Sequence, residues 1–274
     1  MNRRFPFLGT LLITIALSHS VACAFDPIGP PAARLKTGWS ATTLEYLYSN
    51  MDLEADGFTL AGIEFFPDAV EGIKSNKVYA NFASGLQDYG EVFLRVGAMD
   101  ASSGTGDNWS DFVGDSDYEF AIGAGAKFNF GQSQDGVHTW SLVAQTSYAS
   151  LDLGIKTSPI LDSIATLSAQ LDIWEVQIAL GYTRRFGDRL QVYCGPFLHY
   201  VSGDADIKGS ILTDVGEAIE GGATKASTDL EQESNVGGYV GVEWSRDDAF
   251  GVCVEWQFTS GGYAVGGGLI WRFE

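Results

Sequence analysis

The chain has 274 residues, a formal net charge of −19, 34 glycines and only 7 prolines. That acidic balance excludes a nucleic-acid-binding surface, which needs a basic footprint. With 19% charged and 13% aromatic residues, the composition suits strands joined by tight turns, and the length accommodates one large β domain.

The N-terminus reads as an address. Arg3 and Arg4 form a positive region, Leu8 to Leu17 an apolar run, and Ala22-Cys23-Ala24 a small-x-small cleavage site. The run is shorter than the roughly 20 residues a membrane-spanning helix needs. We therefore expect residues 1–24 to be removed as a signal peptide, with cleavage between Ala24 and Phe25. Residues 25–274 then form a single β-barrel domain. A competing reading makes Cys23 a lipidated N-terminal cysteine, although Ser20 stands three positions before it, where a lipoprotein signal carries leucine.

Beyond the address, apolar residues recur every second position. In Tyr118 to Phe130 the even positions are apolar or aromatic, and the odd ones are Glu119, Ala121, Gly123, Gly125, Lys127 and Asn129. A strand separates such residues onto two faces; a helix scatters them. Trp174 to Tyr182 and Val252 to Phe258 divide the same way. Ten such segments lie near 38–50, 76–87, 89–100, 117–130, 138–152, 172–186, 188–202, 235–246, 249–260 and 263–273. In the first, Trp39 and Leu44 fall on opposite parities, which predicts a β-bulge. Connections after even-numbered segments are short. Those after odd-numbered segments are mostly long: 51–75, 101–116, 153–171 and 203–234. The last, Gly261-Gly262, reads as a two-residue turn.

Short turns alternating with long loops, ten-residue alternating hairpins, the signal peptide and the closing strand Val265-x-Gly267-x-Leu269-x-Trp271-x-Phe273 resemble the small bacterial outer-membrane β-barrel proteins, of the OmpA-barrel and opacity-protein type. The resemblance covers residues 38–274. It implies an all-β transmembrane antiparallel up-and-down barrel, with about 10 strands and 8 or 12 as alternatives, in the outer membrane of a Gram-negative bacterium. It also implies recognition of the C-terminal strand by the barrel-assembly machinery.

Physics points the same way. In hydrocarbon every backbone polar group needs an internal partner, which only helices and closed barrels supply. Trp140, Trp244 and Trp271 fall near the short-turn ends and Trp174 near a long-loop end, as an aromatic girdle at two heights would. The polar face carries Glu91, Arg95, Glu119, Lys127, Glu175, Glu243, Glu255 and Arg272, which we expect to form a charge network in the lumen. Phe93, Tyr193, Phe197 and Tyr239 share that face with many glycines, as side chains interleaved across a narrow interior would.

Catalytic groups are harder to assemble. Outer-membrane proteases of the omptin type use an Asp-x-His element, but Gly136 and Phe197 stand two positions before His138 and His199. Outer-membrane lipases use His-x-Ser on one strand face. Ser202 follows His199 by three, so the two point to opposite faces. No catalytic residue, metal site or cofactor is assigned. Cys194 and Cys253 fall on opposite parities of strands two apart, a separation of about 9–10 Å, so no disulfide is expected.

Acidic residues crowd the long loops: Asp107, Asp111 and Asp115, then Asp204, Asp206, Asp214, Glu217, Glu220, Asp229, Glu231 and Glu233. They read as a solvated extracellular surface that could meet lipid and lipopolysaccharide through divalent cations. The function expected is a structural or surface-interaction barrel with at most a narrow, cation-preferring passive channel. The alternatives are a diffusion porin for small solutes and, third, a lipid- or peptide-modifying enzyme.

Overall fold

Alternation gives every strand an apolar face, and the only partner that removes both sheet edges is the sheet itself. A computed structural model describes residues 25–53, 58–60, 63–65, 70–103, 113–156, 164–212, 218–231 and 235–274. The expected signal segment 1–24 lies outside them, as do Asp107, Asp111, Asp214, Glu217 and Glu233. In chain order the strands are β1 (Ser40–Leu53), β2 (Phe58–Leu60), β3 (Ile63–Phe65), β4 (Val70–Leu86), β5 (Gly90–Ser103), β6 (Val113–Ser116) and β7 (Glu119–Gln132). They continue with β8 (His138–Lys156), β9 (Ile164–Phe186), β10 (Leu190–Leu212), β11 (Ala218–Glu231), β12 (Asn235–Ser245), β13 (Phe250–Phe258) and β14 (Gly262–Phe273).

Ten of these make a closed antiparallel up-and-down barrel: β1, β4, β5, β7, β8, β9, β10, β12, β13 and β14. Closure joins the first and last, from Ser40 opposite Phe273 to Met51 opposite Gly262. Two wall strands are interrupted rather than single. β6 prolongs β7 between β5 and β8, and β11 prolongs β12 along β10. β2 and β3 form a separate small hairpin.

Three expectations are corrected. Trp39 precedes β1, whose pairing with β14 is regular throughout, so no bulge is needed at the start. Irregularities fall instead at the far end of β1, between Met51 and Leu53 on its β4 side, between Asn129 and Gly131, and just after Ser210. The last turn is centred on Ser260 and Gly261, because the Thr259 amide donates to the Gly262 carbonyl at 3.0 Å. Most of 203–234 is strand, not loop: β10 runs to Leu212 and β11 returns from Ala218. A barrel strand needs about 9–11 residues to cross a bilayer. β9 and β10 have 23 each, so their upper halves rise beyond it. There both faces meet polar surroundings, and the hydrophobic alternation fades although the ladder continues.

The wall is turned outward. Leu44, Phe82, Leu94, Phe120, Leu180, Val254 and Trp256 are all exposed, a continuous apolar surface far larger than soluble proteins carry. Trp140, Trp244 and Trp271 lie near the short-turn rim and Trp174 higher, each exposed. Tyr182 packs on Trp140 at 4.7 Å and Tyr148 on Trp174 at 5.0 Å. These are two aromatic bands at different heights, as bilayer interfaces favour. The closed wall, the apolar outer face and these bands place the chain in the bacterial outer membrane.

Candidate functional site: the filled lumen

Inward positions alternate with the lipid-facing ones, and large side chains interleave with glycines directly across the ladder. Tyr193 opposes Gly241, Phe197 opposes Gly237, Phe93 opposes Gly125 and Tyr79 opposes Gly97. In the upper half, Ile73, Tyr79, Met99, Leu151, Leu171, Ile173 and Val201 form one apolar cluster. That part of the interior was expected to be polar. Only its lower and middle parts are, and they are not empty.

Residues 25–36 occupy them. This segment, Phe25-Asp26-Pro27-Ile28-Gly29-Pro30-Pro31-Ala32-Ala33-Arg34-Leu35-Lys36, has no regular secondary structure, and all of it from Phe25 to Ala33 is buried. Three prolines keep it extended and leave its carbonyls without partners of their own. Gly29 takes a φ of 64°, where a side chain would be strained. The wall then supplies what the segment lacks. Arg95 Nη2 donates to the Pro27 carbonyl at 2.5 Å and Gln145 Nε2 to the same oxygen at 3.2 Å. Lys127 Nζ donates to the Pro30 carbonyl at 2.7 Å. Asn129 grips Ala33 twice, accepting from its amide at 2.9 Å and donating to its carbonyl at 2.7 Å. Glu91 accepts the Arg34 and Leu35 amides, the second at 2.7 Å. Glu255 accepts the Ile28 amide at 3.1 Å, and Gln257 donates to the Asp26 carbonyl at 2.8 Å.

Charges complete the seat. Lys77 Nζ bridges Asp26 at 3.0 Å and Glu175 at 2.6 Å. Arg95, 2% exposed, pairs with Glu45 at 3.2 Å and lies over the Phe93 ring at 4.8 Å. Glu243, fully buried, takes Arg34 at 2.7 Å and Arg272 at 2.6 Å. Gln191 donates to the same carboxylate at 2.5 Å. Two glycines permit the close approach. A Cβ on Gly85 would lie 2.2 Å from the Lys36 carbonyl, and one on Gly181 would lie 2.5 Å from Pro31 Cβ. Between segment and wall a cavity of about 50 Å³ remains, lined by Glu45, Glu91, Lys127, Glu243 and Cys253 among others. It holds a few waters at most.

Of the eight residues read from sequence as a lumen network, Glu91, Arg95, Glu175, Glu243 and Glu255 are buried and Lys127 and Arg272 half-buried. They do not form one ring. Arg272 joins Glu243, Glu175 joins Lys77, and Glu91, Arg95, Lys127 and Glu255 all hold the segment. Glu119 is half-buried near the top of β7, opposite Met99. Asp26, Arg34, Glu45 and Lys77 were not in that reading. Lys77 and Glu45 share their strands' inward parity, but apolar Tyr79 and Leu47 on the same face blur it. The segment itself lacks any alternation; its prolines were the available signal. His199 is buried, with Nε2 3.6 Å from Glu175. Cys253 is buried and Cys194 exposed on the outer face, both free.

No family model matches the chain, and no curated protein matches it. Solved structures do. OprG of Pseudomonas aeruginosa is 11% identical, with 88% of this chain and 98% of that one covered, at a TM-score of 0.48. The outer membrane protease OmpT of Escherichia coli is 11% identical over 86% and 96%, at 0.46. Ail of Yersinia pestis, the attachment invasion locus protein, is 11% identical over 87% and 100%, at 0.32. These likenesses lie in the strand framework; the closure, the outward apolar wall and the aromatic bands of this chain make it, by themselves, a ten-stranded barrel of the bacterial outer-membrane type.

Proposed function

We propose that this protein is an occluded outer-membrane barrel with a structural or surface-interaction role, passing at most a trickle of small cations. The observation that carries this reading is residues 25–35 seated in the lumen with the apolar layer of Tyr79, Met99 and Leu151 above them. A solute would have to displace both. An enzymatic role is disfavoured by the same packing: His199 and Glu175 lie deep in the closed interior, where no lipid or peptide substrate reaches them. The tall β8–β11 wall is the part offered to partners. There Asp172 stands directly opposite Asp204, both on the outer face, suited to divalent cations shared with lipopolysaccharide phosphates. The exposed edge aromatics of β14, Trp271 and Phe273, are the feature we assign to recognition by the assembly machinery.

Planar-bilayer conductance tests the occlusion. Wild type is expected to give small, intermittent, cation-preferring events, because the lumen carboxylates, with half-buried Glu119 toward the top of β7 added to those below, outnumber its bases, and acidic linings favour cations. Deleting residues 25–35 behind an intact signal should give larger and steadier steps. Large, stable, anion-selective steps from wild type would overturn the reading and restore the diffusion-porin alternative.

A further inference from the structure

Among the described residues the lower and middle lumen, below Glu119, holds six carboxylates, Asp26, Glu45, Glu91, Glu175, Glu243 and Glu255, against five cations, Arg34, Lys77, Arg95, Lys127 and Arg272. The imbalance has a place. Lys77 is shared between Asp26 and Glu175, so two carboxylates meet one ammonium. The second Glu175 oxygen, Oε2, faces only His199 Nε2 at 3.6 Å, beyond hydrogen-bond distance, so both atoms are buried without a hydrogen bond, as is His199 Nδ1. Buried polar atoms left in this way are costly and ask for an explanation. Phe25 is the residue at this place. Its ring is wholly buried, stacked on His199 at 6.0 Å and edge-on to Phe197 at 6.0 Å, and its successor is the Asp26 that shares Lys77.

We propose that the barrel contains an ammonium site for its own processed N-terminus, in which the α-ammonium of Phe25 is held by Glu175 Oε2 with His199 beside it. The inference rests on signal cleavage after Ala24 and on the lumen segment described above. Cleavage by a leader peptidase adds water across the Ala24–Phe25 peptide bond. Ala24 keeps the carboxylate, and the Phe25 amine takes up a proton at neutral pH. The product is a cation one residue from the Asp26–Lys77–Glu175 cluster. With it the cluster has two carboxylates and two ammonium groups, and the lower and middle lumen six of each sign. In the precursor the same nitrogen is a neutral amide. Processing thus adds the charge that completes the seat, and the segment locks into the lumen as a consequence of cleavage.

The test uses the full-length protein purified from outer membranes in detergent. Intact mass first places the N-terminus. Reductive dimethylation with formaldehyde and cyanoborohydride, read by peptide mapping, then compares the Phe25 amine in folded and heat-unfolded protein, with exposed Lys36 as internal reference. We expect Phe25 to react at least tenfold more slowly when folded, Lys36 to react equally in both, and E175Q to raise the folded Phe25 rate severalfold. If E175Q does not assemble, as judged by heat-modifiable gel mobility, Glu175→Asp is read the same way, since the shorter carboxylate should also release the amine. A lipid mass on Cys23, an N-terminus other than Phe25, or a folded Phe25 amine that reacts at the unfolded rate would overturn the site. So would protection that is unchanged in the variant, which would show that Glu175 does not hold the amine. The two readings fail separately. Free reactivity with small conductance removes the ammonium site and keeps the plug. Free reactivity with large steady conductance removes the plug as well.

Discussion

At the residue scale, Arg95 does the most with one side chain. It holds the Pro27 carbonyl, pairs with Glu45 and stacks over Phe93, all in a buried setting. Arg95→Ala would leave Glu45 without its cation and with Asn81 as its remaining donor, and breaking a buried pair from one side costs about 3–5 kcal/mol. Thermal unfolding in detergent should therefore shift to lower temperature, with more frequent channel openings. Unchanged melting together with unchanged conductance would show that Arg95 does not hold the segment. Gly85 offers a subtler test. A side chain there meets the Lys36 carbonyl, so Gly85→Val should cost about 1–3 kcal/mol by overpacking and lift the segment at its root without removing a charge. Which face a residue takes was legible from parity where the two faces differ in polarity, as at Glu91 to Arg95 or Glu243. It was illegible at Lys77 and Glu45, because Tyr79 and Leu47 put apolar groups on the inward face too. Nothing in parity could announce Asp26 or Arg34, which lie on no strand.

Elements tell a similar story on a larger scale. The ten wall strands follow from alternation because one face is lipid and the other is not. Where that contrast ends the pattern ends, and so β10 reads from sequence as stopping near residue 202 although its ladder continues to Leu212. The lumen segment was legible only as composition. It is held by side-chain donors and acceptors scattered over β4, β5, β7, β8, β12 and β13, a convergence visible only once the barrel closes. Cys253 reports on this element. It is buried beside the segment, whereas Cys194 faces outward. A charged methanethiosulfonate reagent should leave Cys253 unmodified in wild-type membranes and modify it after deletion of residues 25–35. Cys194 should stay unmodified in both while lipid covers it. Modification of wild-type Cys253 at the rate of unfolded protein would mean the lower lumen is open to water.

Over the whole molecule the barrel is vertically polar. The short-turn rim is compact. Asp135 caps its own turn by accepting the Val137 amide at 3.0 Å, and Asp247 accepts those of Ala249 and Phe250 at 3.0 and 2.8 Å. The Ser133 hydroxyl and then the Val137 amide hold Asp135, and Arg246 and then the Phe250 and Ala249 amides hold Asp247, below the usual carboxylate range. The opposite end is tall and acidic. Just above the Trp174–Tyr148 pair, Asp172 accepts the Tyr148 hydroxyl at 3.0 Å and stands opposite Asp204, with the backbone of Asp229 next in register. Like charges directly opposite on neighbouring strands are destabilising by roughly 0.2–1 kcal/mol per pair. On the surface-interaction role proposed above, lipopolysaccharide phosphates would add negative charge at this height, and a shared divalent cation would relieve both. In vesicles containing lipopolysaccharide and magnesium, chelation should lower the unfolding temperature of wild type more than that of Asp172→Asn/Asp204→Asn. In vesicles of neutral lipid without divalent cations, the double variant should be the more stable of the two. Equal responses to chelation would show that these carboxylates share no cation with the membrane, and that the sheet simply tolerates their repulsion in water.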